Sequence, residues 1–323
     1  MSPIVLVRHG DRLRFAAIGT AAVIFFALQP FTSINVVWGS FVLSFGVAAL
    51  VGGIGVFYRW SGRDEGIAAT SLVTAQIMLA SSFLALDNYL GLAVHRPLFD
   101  PLIESWDRAI GFDWAAYVGA VKANAIVAKA LTLAYFSVLG QMILVIVFLG
   151  VTQRLARLDE FSLAYIIAGA VTVTWWVAFP TLGEMQWRYV TGAPAAAYSV
   201  AIGRAEALRA YELWRSGVAT VRFHEMIGLI GAPSFHTVMA LLSVRAFWGL
   251  PRVGVAIAAL NALVLASIPA DGGHHLIDML AGGFVAWIAV VAARQLLAAP
   301  SPWLARGLAP VTLAGEPSRQ TNG

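Results

Sequence analysis

Gly272-Gly273-His274-His275-Leu276-Ile277-Asp278 stands at the head of an apolar run that continues to residue 298. A second head of the same kind, Pro233-Ser234-Phe235-His236-Thr237, opens an apolar run over 234–250. Residues four apart on a helix share a face, with Cβ atoms roughly 6 Å apart. Asp278 can therefore hold one ring nitrogen of His274 and leave the other free. Pro233 is expected in the first helical turn, where its missing N–H costs nothing. Gly272-Gly273 is expected to leave backbone N–H groups open just before the following helix.

The rest of the chain explains why such heads exist. Of its 323 residues 59% are hydrophobic and only 12% charged, against about 25% charged in a soluble domain. Runs of about 20 apolar residues cross a bilayer core as helices. Eight such spans are predicted, at roughly 14–32, 36–58, 67–91, 129–152, 161–181, 234–250, 253–270 and 275–298. The expected fold class is an all-α polytopic membrane protein of about eight transmembrane helices. The chain has no cysteine, which excludes disulfides and thiolate chemistry. The net charge of +4 is too small to suggest a nucleic-acid partner. No small-residue cleavage site follows the first apolar run, so that run reads as a retained span.

Arginines give the orientation. Arg8, Arg12, Arg14, Arg59, Arg63, Arg154, Arg157, Arg245, Arg252 and Arg294 all fall on one side if eight spans alternate. The positive-inside rule makes that side cytoplasmic, with both termini there and His236, His274 and Asp278 on the opposite, extracytoplasmic side. The expected organisation is a cytoplasmic N-terminus (1–13), N-terminal membrane helices (14–158), a catalytic membrane core (159–298) and a disordered cytoplasmic tail (299–323). Segment 92–128 mixes acidic and aromatic residues, as in helices that lie in the membrane interface. The outer loop 182–232 carries Arg188, Arg204, Arg209, Arg215 and Arg222, which reads as a device for anions near the site.

A lone histidine at a span end is usually an interfacial residue. Two of them, heading two helices that open to the same side, with a carboxylate at i+4, point to phosphoryl transfer on a lipid-like substrate. His274 is the candidate nucleophile, oriented by Asp278, and His236 the candidate acid and base. Ser234 and Gly273 are candidate phosphate ligands. His275 points about 100° away around a helix and reads as a packing or orienting residue. Val5-Leu6-Val7-Arg8-His9-Gly10 imitates the start of a histidine phosphatase, but a membrane span follows at once. No P-loop, zinc helix or dinucleotide fingerprint is present.

On these residues the chain resembles the type 2 phosphatidic acid phosphatase superfamily, and looks closest to the branch of the inositol phosphorylceramide and sphingomyelin synthases. Pro233-Ser234-Phe235-His236 matches the family's second motif, and His274 through Asp278, with Gly282, its third. The resemblance implies the same roles for His236, His274 and Asp278, with a lipid phosphate or phospholipid as substrate and the inner membrane of a bacterium as location. No cofactor or metal is expected. The chain departs from the family pattern in its basic residues. The first motif, a Lys and an Arg-Pro, is absent from its place, and Ser267-Ile268 stands where the family has Ser-Arg. Arg188 and then Arg222 are nominated as the replacement cations. Hydrolysis of a lipid phosphate is the expected reaction. Head-group transfer by the same histidines and a non-catalytic lipid-binding or transport role are the alternatives.

Overall fold

The computed structural model describes residues 7–192 and 204–299. Twelve helices follow in order: α1 (His9–Leu28), α2 (Val42–Trp60), α3 (Glu65–Gly91), α4 (Asp100–Ala109), α5 (Trp114–Lys122), α6 (Ala125–Val151), α7 (Leu155–Ala178), α8 (Glu184–Thr191), α9 (Arg204–Ser216), α10 (Phe235–Ala246), α11 (Val253–Asp271) and α12 (Leu276–Ala298). Among the described residues seven of these (α1, α2, α3, α6, α7, α11 and α12) are long and apolar enough to cross a membrane. The chain is thus an all-α polytopic membrane protein. A two-residue parallel bridge joins β1 (Asn35–Val36), between α1 and α2, to β2 (Thr220–Val221), between α9 and α10.

Two buried layers hold the bundle. One joins α6, α7, α10, α11 and α12 through Val138, Val145, Leu163, Val238, Val264 and Ala289. The other gathers Phe25, Phe41, Leu86, Trp176, Leu182 and Val221 beneath the loops at the histidine end. Large apolar side chains such as Leu43, Leu50, Leu139, Ile143 and Phe284 stay exposed, which suits a surface facing lipid and not water.

The sixth expected span is shorter than its apolar run. Helix α10 has 12 residues, about 18 Å at 1.5 Å per residue. The run reaches residue 250 because it includes turn residues: Gly249 takes φ +76°, and Pro251 disfavours a helical Leu250 before it. The helix nevertheless reaches the arginine-rich end. Arg245 pairs with Glu160 at 2.9 Å, and Arg157 donates to the Trp248 carbonyl at 2.8 Å. Its other end stops part-way up α7, where Phe235 packs on Tyr165 at 5.3 Å between ring centroids. Phe235 also lies beside Gly169. Helix α7 runs nine residues past Gly169, about 14 Å. The head of α10 therefore sits in a recess and not at the mouth of the bundle. The N-cap is Ser234, so Pro233 precedes the helix where the sequence suggested its first turn.

The segment read as interfacial is tied to the bundle by its acidic and aromatic residues. Asp100 and Asp107 lie seven residues apart on α4 and both are buried. Asp100 accepts the Leu182 and Gly183 N–H groups at 3.0 and 2.8 Å. Helix α5 is fixed by two polar tips: Trp114 Nε1 donates to the Pro269 carbonyl at 2.9 Å, and the Tyr117 hydroxyl to that of Ala266 at 2.6 Å. The Pro269 carbonyl belongs to the last turn of α11, where no intrahelical donor follows.

Candidate active site

The recess above α10 brings the sequence-predicted histidines together. His236 and His274 lie 6.4 Å apart between ring centroids, tilted by 60°. His274 Nδ1 is 3.3 Å from Asp278 Oδ2. The geometry of that pair differs from the one expected. His274 precedes α12, which is capped by His275 and begins at Leu276. The chain reaches His274 through Gly273 at φ +67°, a conformation that glycine adopts without strain. A Cβ at Gly273 would also fall 2.7 Å from that of Met185. The Gly273 carbonyl accepts the Met185 N–H at 3.1 Å. The glycine is thus fixed as a close approach between the His274 turn and α8.

Of the two glycines ahead of α12, Gly272 donates its N–H to the Ile268 carbonyl at 2.9 Å, and the N–H groups that follow at the helix start are occupied. Asp107 accepts those of Leu276 and Ile277, both at 2.9 Å, and Asp278 accepts that of His275 at 3.0 Å. The first N–H groups of α12 are therefore held by carboxylates of the protein. Ser234 is fully buried; its hydroxyl accepts the Thr237 N–H at 3.4 Å, and its own N–H donates to the Asp278 carbonyl at 2.9 Å. Capping and register between α10 and α12 are its visible work.

The nominated arginines fare differently. Arg188 sits on α8, its Nε bonded to Glu184, with its guanidinium 5.4 Å above the Trp114 ring. It borders an opening of about 280 Å³ that Glu104, Asp107 and Asp113 also line. Arg222 follows β2, lies 3.6 Å from Glu225 and is half exposed. The Phe223 N–H beside it donates to Ser40 in the α1–α2 loop, so Arg222 belongs with the loop layer and not with the histidines. Arg209 lies 4.0 Å from Glu225 as well. The loop arginines thus form a surface mesh more than an anion funnel; the side chain of Arg204 lies outside the described residues.

Sequence reasoning missed the shell around the pair. His275 is fully buried, with Glu184 at 2.8 Å from Nδ1, Asp107 at 3.6 Å from Nδ1 and Asp100 at 3.6 Å from Nε2. Burial opposes its charge, but Asp100, Asp107, Asp278 and Glu184 outweigh that and hold it well above the usual histidine range. Burial pushes the Asp100 carboxyl up, with His275 pulling against it. Burial also works against Glu184, yet His275 and Arg188 keep its carboxyl below the ordinary value. His275 thus orients the loops, as its sequence position suggested, but as a cation and not by packing. The seven-residue spacing of Asp100 and Asp107 was the available signal. Tyr135 of α6 stacks on His236 at 4.4 Å between centroids and 16° between planes. It sits in a long apolar run that marks it in no way.

An all-helical membrane bundle with two facing imidazoles and one oriented by a carboxylate defines the class. A family model described as the PAP2 superfamily matches residues 102–292, and the chain belongs to that superfamily, whose members are typically phosphatases or phosphotransferases. The matched stretch takes in α5 through α11 and most of α4 and α12. No curated protein and no solved structure matches the chain.

Proposed function

We propose that the protein is a membrane phosphoesterase that hydrolyses a lipid-like phosphate through a phosphohistidine on His274. The observation that carries this reading is the pairing of His274 Nδ1 with Asp278 while the same ring faces His236. Asp278 leaves Nε2 as the free nucleophile and stabilises the cationic ring, the orienting logic of catalytic triads. In the first step Nε2 forms a bond to phosphorus, the bond to the leaving oxygen breaks, and His236 gives that oxygen a proton. In the second, His236 takes a proton from water, the new P–O bond forms and the P–N bond breaks. Tyr135 holds the His236 ring in one plane for both transfers. Arg188 is the cation for the equatorial oxygens, and fixed positive charge there is the main electrostatic need of the reaction.

The positive-inside rule places this site on the extracytoplasmic face of a plasma membrane, with both described ends cytoplasmic. Head-group transfer onto an alcohol is the second reading. The residue pair Ser267-Ile268 and the carboxylate-rich shell favour it, because so little positive charge suits a phosphodiester better than a free phosphomonoester.

The test is phosphate release by purified protein in detergent from lysophosphatidate, phosphatidate and a prenyl diphosphate, beside His274→Ala. Release that vanishes in a folded His274→Ala variant, with acid-labile phosphate trapped on the parent, supports hydrolysis. Transfer from a phospholipid to an added alcohol, with no release from any monoester, supports the second reading. Lipid binding with neither activity overturns both.

A further inference from the structure

A second cavity, of about 890 Å³, opens between α1, α3 and α7. None of the residues placed at the histidine site lines it. Its deep end is closed where Ile18, Ala80 and Ile166 pack together. Small side chains such as Ala17, Ala21 and Ala170 leave the cleft between α1 and α7 unfilled. From Ala80 to Gly91 it follows α3 for 11 residues, about 16 Å. That is about half of a 30 Å hydrocarbon core, one leaflet deep.

Beside Thr20, Thr32 and Thr174, the walls are apolar with two charged exceptions, Asp87 and Arg96. Asp87 stands on α3 one turn before its end, and its Oδ1 is buried with no hydrogen-bond partner. A carboxylate left without a partner at membrane depth is costly and ordinarily serves a function. Arg96 lies just beyond the helix, exposed, its carbonyl held by Trp214 Nε1 at 3.0 Å. Among the described residues its guanidinium has no ion pair.

We infer that this cleft binds one zwitterionic aminophospholipid, with an acyl chain along α3, the ammonium group against Asp87 and the phosphate against Arg96. The signs of the two charges, and not their order, support that occupant: the head group folds back so that its ammonium reaches the deeper Asp87. An anionic lipid would satisfy Arg96 and leave Asp87 unpaired, whereas a zwitterionic head matches both signs. The site does not rest on the catalytic reading, since its residues and its ligand chemistry are separate.

Native mass spectrometry of the delipidated full chain, titrated with phosphatidylethanolamine or with phosphatidylglycerol of the same acyl chains, tests this. The parent should hold one phosphatidylethanolamine at least about tenfold more tightly than phosphatidylglycerol, a difference of about 1.4 kcal/mol. Asp87→Asn should abolish that preference, and Arg96→Gln should weaken both lipids. Ala170→Trp, which fills the cleft, should remove the preference while phosphate release stays as in the parent, and it decides the matter should Asp87→Asn not fold. Equal retention of the two lipids by the parent, or a preference that survives Asp87→Asn or Ala170→Trp, overturns the assignment.

Discussion

The bundle carries a buried ionic cluster at each end, and the two are built on opposite terms. At the arginine-rich end Arg14 donates to Asp11 at 2.7 Å, Asp159 at 2.8 Å and Ser162 at 2.9 Å, and also to Gln76. Arg59 pairs with Asp11 and, at 2.9 Å, with Glu65. With Arg8, 3.4 Å from Glu65, three guanidinium forks meet three carboxylates, and nearly every donor is satisfied. At the histidine end one imidazolium, that of His275, stands among Asp100, Asp107 and Glu184, with Asp278 close by. Carboxylates outnumber cations there even when Arg188 is counted. A balanced cluster can only hold helices together. An unbalanced one has protonation states that neighbours and pH can shift, which is the arrangement expected beside chemistry. Four perturbations test whether the two ends divide fold from function in this way.

The largest effect should come from Asp278→Asn. It keeps shape and one acceptor but removes the charge that stabilises a cationic His274 ring. By the logic of orienting carboxylates, turnover should drop on the order of 10³–10⁴-fold. The melting temperature in detergent should move little. A drop under tenfold would detach Asp278 from the reaction.

Arg14→Leu attacks the other end. It leaves Asp159 without its buried partner and Asp11 with Arg59 alone, and breaking such a pair costs about 3–5 kcal/mol. Thermal unfolding in detergent should register that loss, while phosphate release per folded molecule stays near the parent's. Loss of turnover without loss of stability would invert the comparison.

His275→Gln lies between these two, since it touches the loops and the catalytic turn together. It strands Asp100, Asp107 and Glu184 around a neutral side chain. Turnover should fall on the order of 10–100-fold, the range found when an orienting outer-shell partner is lost. Because His274 itself is untouched, KM should rise as well as kcat fall, as α4 and α8 loosen over the recess. A fall in kcat alone, with KM and stability unchanged, would make His275 a participant in the reaction and not a positioning residue.

How much of this was legible in the sequence follows the same division. The spans could be read because an apolar run of about twenty residues matches the thickness of a bilayer core and little else. The arginine-rich end could be read because charge at span ends follows the positive-inside rule. His236, His274 and Asp278 carried their own spacing. The length of α10 was hidden, since Phe247-Trp248-Gly249-Leu250 is as apolar in a turn as in a helix. The partners of Asp100 and Asp107 were hidden for a related reason. An amphipathic helix with acids on one face looks the same whether those acids meet water or cap another helix. His275 lay in plain view, but its partners are 91, 168 and 175 positions away in the chain, and no local pattern encodes such a meeting.

The smallest effect is the pH dependence of stability, and it distinguishes the clusters most directly. His275 has its folded value raised above the ordinary 6.5, against its burial, chiefly by Asp100 and Asp107. Its contribution is therefore complete below 6.5 and is lost as pH climbs through the raised value, because the folded state there holds a proton that the unfolded state has released. Glu184 works in the opposite sense. Its folded value lies below the ordinary 4.5, so its contribution is present above 4.5 and is lost as pH falls through the lowered value. Melting temperature should thus peak between an acid limb and an alkaline limb. His275→Gln should flatten the alkaline limb and shrink the acid one, since the imidazolium is what lowers Glu184. Arg14→Leu should lower the whole curve and leave the alkaline limb in place, since a guanidinium keeps its proton throughout that range. An alkaline limb that persists in His275→Gln would mean that the charge holding α4 and α8 over the recess belongs to another residue.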